Sequence, residues 1–129
     1  MAIKKKLIDS EKLSQVVVAG MQEKKAIDVL VMDLRGIKSA LADYFILCTG
    51  NSDTQIEAIS ESVEFFVSEK ANQNVWHKEG FKNKEWILLD YVDVVVNVFK
   101  KETREFYNLE QMWGDAIITS IESSYPIEQ

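Results

Sequence analysis

Residues 44–55, Tyr44-Phe45-Ile46-Leu47-Cys48-Thr49-Gly50-Asn51-Ser52-Asp53-Thr54-Gln55, decide the fold. The run from Tyr44 to Thr49 is apolar on both alternating faces, which predicts a strand covered on both sides. Gly50-Asn51 breaks it. Ser52 and Gln55 match a capping box, in which the serine oxygen accepts from the backbone N–H three residues on and the Gln side chain reaches back. Ile56, Ile59, Val63, Phe66 and Val67 then form one helical stripe, with Glu57, Glu61 and Glu64 on other faces. Asn72-Gln73-Asn74 ends the helix.

Upstream, Ile27–Leu34 is too short for a typical helix and rich in β-formers, so it reads as a buried strand. Arg35–Ala42 connects it to the next strand. Before it, Leu13, Val16, Val17 and Met21 follow the 3.6-residue period of a helix that Asp9 or Ser10 can cap, with Gly20 weakening its end. Downstream come a short extended piece at Val75-Trp76 and a polar turn from Glu79 to Lys84. Trp86–Asp90 and Asp93–Phe99 read as two strands. Only Tyr91 and Val92 remain for the bend, which predicts an antiparallel hairpin. Leu109, Met112, Trp113, Ala116, Ile117 and Ile121 predict a final helix. The class is therefore α/β: a mixed sheet with helices packed on it, in the order αββαβββα.

The 129 residues, 47% hydrophobic and 28% charged, fit a single domain spanning 1–129, with 1–6 and 122–129 as flexible ends. No apolar run approaches the ~20 residues of a membrane span, and no membrane association is expected. The basic start, Met1 to Lys6, lacks the apolar region of a secretory signal, which points to the cytoplasm. Cys48 has no second cysteine to pair with and His77 no second histidine, so neither disulfide nor zinc site is expected. An excess of 21 acidic over 15 basic side chains gives a net charge of −6. That balance disfavours a broad phosphate-binding surface and suits a basic partner.

Gly50-Asn51-Ser52, at a strand-to-helix junction, can hold an anion, and nucleotidyltransferases place a Gly-Ser element there. Their chemistry also needs carboxylates converging on Mg²⁺. The nearest pair here, Asp90 and Asp93, straddles the predicted bend, and capping alone explains Ser52. Cys48 lies in an apolar strand without a neighbouring cation, as a structural thiol does. His77, beside Trp76 and near Glu79, reads as a surface residue.

The hairpin is more informative. With Ile87, Leu89, Val94, Val96 and Val98 turned to the helices, alternation puts Trp86, Leu88, Val95 and Phe99 on the other face, among Asp90, Asp93 and Asn97. Large apolar side chains ringed by charge have the composition of a protein-binding patch. Either this face is open to a partner, or the last helix covers it. Tyr107, Leu109, Met112 and Trp113 in that helix read as core.

Several runs together resemble the ribosomal silencing factor family, also called Iojap-related. They are residues 43–52 (DYFILCTGNS), 76–80 (WHKEG), 86–91 (WILLDY), 93–96 (DVVV) and 104–110 (REFYNLE). The resemblance runs in order from about Leu7 to Ile118. It implies a nucleotidyltransferase-like fold without established catalysis and without a cofactor or metal. It further implies a factor that binds ribosomal protein L-fourteen on the intersubunit face of the large ribosomal subunit. Such a factor blocks joining of the small subunit and lowers translation when nutrients are short. Two positions depart from the family pattern. Val92 stands where Gly is usual, so the turn is expected to avoid a positive φ. Asn97 stands where His is usual, which retunes any contact there.

The partner-binding set expected on these grounds is Trp86, Leu88, Asp90, Asp93, Val95, Asn97, His77 and Glu79. Trp86 and Leu88 supply a desolvated centre, and the carboxylates steer a basic partner. The rival from another class is a Mg²⁺-dependent nucleotide-binding enzyme using Ser52, Asp90 and Asp93. A third reading is a homodimer that buries the Trp86 face against itself.

Overall fold

A computed structural model describes residues 8–123 of the chain. The elements are α1 (Ser10–Glu23), β1 (Ile27–Asp33), β2 (Tyr44–Gly50), α2 (Asp53–Ala71), β3 (His77–Glu79), β4 (Trp86–Asp90), β5 (Val94–Lys100), α3 (Lys101–Tyr107), α4 (Leu109–Met112) and β6 (Ile117–Ser120). The strands form one sheet in the order β3-β4-β5-β2-β1-β6. Among the described residues only β2 and β5 run parallel, with α2, β3 and β4 between them in the chain, and every other pairing is antiparallel. The mixed α/β sheet expected from the sequence is present. The expected flexible ends fall, apart from Glu122 and Ser123, outside the described residues.

The caps act as their residue types dictate. Asp9, not Ser10, caps α1 by accepting from Lys12 N at 2.8 Å, which frees the Ser10 hydroxyl to donate to Asp43. Ser52 accepts from Gln55 N at 3.1 Å, while Gln55 Oε1 takes the Asn51 N–H. The same Gln55 amide donates to the carbonyls of Lys24 and Lys25, tying the α1–β1 turn to the start of α2. Asn72 closes α2 with φ +55.

One face of the sheet carries both long helices. Val17, Met21, Ile56, Ile59, Val63 and Val67 meet Ile46, Cys48, Ile87, Leu89, Val96 and Val98, all of them buried. Burying each such aliphatic side chain is worth about 1.5–3 kcal/mol, which makes this layer the main source of stability. Gly20 serves packing here. A Cβ would sit 2.9 Å from the Val63 Cα, and the Ser62 hydroxyl donates to the Gly20 carbonyl.

The C-terminal third corrects the sequence reading. The single helix predicted over Leu109–Ile121 is instead one short helix, α4, and the strand β6, with the further short helix α3 ahead of it, so the order becomes αββαβββααβ. Asn108, with φ +45, separates α3 from α4. Ile117–Ser120 then pairs antiparallel with the free edge of β1. Backbone pairing with that edge satisfies more polar groups than a further helical turn, and β-branched Ile117, Ile118 and Thr119 favour it. The predicted core set divides as well: Leu109 is buried and Trp113 half-buried, whereas Tyr107 and Met112 are exposed.

Candidate docking face

The face opposite the helices is where the hairpin presents its second set of side chains. Register pairs His77 with Asp90, Glu79 with Leu88, Leu88 with Asn97, Asp90 with Val95 and Trp86 with Phe99. Alternation therefore brings His77, Glu79, Trp86, Leu88, Asp90, Val95 and Asn97 to one face of β3–β4–β5. Asp93 lies in the adjoining turn, exposed, with its carbonyl accepting from Asp43 and Tyr44.

The two alternatives for this face are each realised over half of it. The C-terminal segment roofs one half: Phe99 is fully buried, Asn97 is 1% exposed, and both lie beneath Trp86. The Trp86 ring stacks on Phe99 at 4.9 Å and meets Tyr107 of α3 at 5.0 Å. Asn97, which the sequence grouped with the residues of an exposed patch, is thus buried. The other half is open. Leu88, Val95 and Asp90 are partly exposed there, and the His77 and Glu79 side chains 50% and 65% so, with His77 Nε2 3.3 Å from Glu79 Oε1. No Lys or Arg points from this face of the three strands; Lys78 turns to the other side, against Glu64.

The bend also departs from expectation. Val92 takes φ +74, and Asp93 N bonds Tyr91 O at 3.0 Å, which makes a γ-turn of the strained hand. A β-branched residue resists this conformation. The surrounding bonds impose it: Tyr91 N donates to Val94 O, and Asp90 Oδ1 accepts from Val92 N at 2.7 Å. Val92 is 55% exposed at the hairpin tip.

Sequence reasoning missed Tyr107 and Arg104. Tyr107 reaches the site because β5 runs into α3 without a loop, and the aromatic pair Phe106-Tyr107 was the available signal. Arg104 holds α3 down, donating to the Asp28 carbonyl at 2.7 Å and to Thr49 Oγ1 at 3.0 Å. Asp28, with φ +51, sits where the β1–β2 register shifts, and the irregularity turns its carbonyl toward the guanidinium.

The nucleotide-binding constellation does not assemble. In the parallel β2–β5 pair, Tyr44 is opposite Val94 and Gly50 opposite Lys100. Asp90 and Asp93 adjoin the Tyr44 end of β2 and Ser52 follows the Gly50 end, so they are separated by roughly 20 Å at ~3.3 Å per residue. Burial pushes the Cys48 thiol up to about 12, against a smaller opposing pull from Arg104, so it stays protonated and unreactive. Two open clefts, of about 460 and 560 Å³, lie between α1 and β6 and beside α3, and neither is lined by a predicted site residue. What the face offers is a shallow apolar surface with an acidic border, suited to a protein surface.

The chain is similar to known proteins in sequence and in fold. The sequence model of a family described as "Ribosomal silencing factor during starvation" matches residues 7–129. The ribosomal silencing factor RsfS of Bacillus subtilis is 40% identical over 115 residues, covering 89% of this chain and 96% of that protein. Its counterpart in Halalkalibacterium halodurans is 37% identical over 115 residues, covering 89% and 97%. A crystal structure of a Chromobacterium violaceum protein superposes with a TM-score of 0.78 at 28% identity, covering 92% of this chain and 98% of that one. With the family matched over nearly its whole length, the chain belongs to the ribosomal silencing factor family.

Proposed function

We propose that the chain silences translation sterically. It docks through the open half of the β3–β4–β5 face onto a basic protein of the large ribosomal subunit, ribosomal protein L-fourteen, at the intersubunit surface. Bound there, it keeps the small subunit from joining when nutrients are short, and it acts in the cytoplasm without cofactor or catalysis. Support comes from family membership and from one observation above all. Leu88 and Val95, both partly exposed, lie beside Asp90 and Glu79, with Asp93 in the adjoining turn, and β3, β4 and β5 turn no Lys or Arg to this face.

Charge and apolar area divide the work. The carboxylates and the net −6 steer encounter with a basic surface and set orientation, whereas Leu88, Val95 and the exposed edge of Trp86 supply the desolvated contact. Pelleting the purified chain with isolated large subunits tests the reading. Cosedimentation is expected, weakening as salt screens the carboxylates, and Leu88→Lys is expected to abolish it. A folded Leu88→Lys protein that pellets like wild type would remove this face from the interface.

A further inference from the structure

Asn97 is 1% exposed, so no partner reaches it. In register it lies between Leu88 on β4 and fully buried Leu47 on β2, with fully buried Phe99 next along its own face. An amide among hydrocarbon is unfavourable unless its polar atoms are bonded, and a Leu at this position would carry no such requirement. Both ends of the Asn97 amide are engaged. Its Oδ1 accepts from the Trp86 indole N–H at 3.0 Å, and its Nδ2 donates to the Val95 carbonyl at 3.3 Å. Stacking on Phe99 and contact with Tyr107 restrain the indole plane but leave the ring free to slide within it. A directional hydrogen bond from the ring nitrogen removes that remaining freedom.

We propose that Asn97 is a positioning residue: it locks the Trp86 indole in the orientation offered to the partner and makes no contact of its own. The proposal rests on the reading of this face as the docking surface. An aromatic side chain already fixed in its bound orientation loses less freedom on docking, so the buried amide favours binding without touching the partner.

A double-mutant cycle on the full-length chain tests this, with purified large ribosomal subunits as the probe. Asn97→Leu keeps the side-chain size and removes the acceptor; Trp86→Phe keeps an aromatic ring and removes the donor. Each single variant is expected to bind roughly threefold to tenfold more weakly, the range of ordering one side chain on docking. The double variant is expected to bind no more weakly than Trp86→Phe alone. In the NMR spectrum the indole N–H signal absent from Trp86→Phe identifies Trp86. In Asn97→Leu that signal is expected to lose its protection from solvent exchange. Asn97→Ala repeats the cycle should leucine prevent folding.

Undiminished protection of the indole N–H overturns the proposal, as does an Asn97→Leu effect of equal size in the Trp86→Phe background. Wild-type binding by Leu88→Lys overturns the docking reading instead, so the two failures are distinguishable.

Discussion

The Trp86 indole N–H and the Asn97 side-chain oxygen meet at 3.0 Å as a diagonal pair across β4 and β5, which places the tryptophan in two roles. It roofs the second core layer over Phe99 and presents an edge to solvent. Trp86→Ala is therefore expected to cost stability, apart from any effect on binding. A loss of about 2–3 kcal/mol is expected, below the ~3–5 kcal/mol of fully buried aromatics because the ring is only partly covered. The urea midpoint checks it, and an unchanged midpoint would show that the roof does not depend on the ring.

Val92→Gly is expected to stabilise the chain. Relief of a positive φ on a β-branched residue is worth about 1–3 kcal/mol, offset by about 0.5–1 kcal/mol of glycine's extra chain entropy. The net gain of ~1 kcal/mol corresponds to a melting temperature higher by roughly 3–6 °C. A fall in melting temperature would mean that the turn is not strained.

Arg104→Met removes the donors that hold the Asp28 carbonyl and Thr49, from a side chain only 11% exposed. Charge-assisted hydrogen bonds of this kind are worth about 1.5–3 kcal/mol. Because α3 has no fully buried residue to anchor it otherwise, the loss falls on its docking. Amides of α3 should exchange with deuterium faster in the variant while those of α2 stay protected. Equal rates in α3 would contradict the clamp.

Acid sensitivity has a local source at Asp33. The Arg35 side chain donates to its carboxylate and holds its pKa below the ordinary 3.8, against a smaller opposing effect of burial. A depressed folded-state pKa means that the unfolded chain binds the proton first. The contribution is therefore complete above the ordinary carboxylate range and is lost as pH falls through the lowered value. Asp33→Asn should flatten stability against pH below about pH 4, as read from urea melts at successive pH values. An unchanged acid limb would exclude this pair as a source.

What was legible in the sequence was local. The Ser52–Gln55 box, the stripe from Ile56 to Val67 and the Trp86–Phe99 alternation each encode their element within a few residues, and the structure carries all three. The C-terminal segment was not local. Met112, Ala116 and Ile117 fit a helical period, but β6 exists because β1 leaves an edge more than eighty residues upstream. Period alone cannot register such pairing; the β-branched run Ile117-Ile118-Thr119 was the only hint. The site was half legible for the same reason. Alternation placed Leu88, Asp90 and Val95 on one face, while the burial of Asn97 depends on a roof supplied by α3 and α4.

Whether the open face holds the large subunit away from the small one is read out by a subunit-joining assay. Separated subunits are mixed with the wild-type chain or with Leu88→Lys at joining concentrations of Mg²⁺, and the products are resolved on a sucrose gradient. Wild type is expected to leave the subunits apart, and folded Leu88→Lys to let intact ribosomes form. Intact ribosomes in the presence of saturating wild type, or equal inhibition by Leu88→Lys, would contradict it.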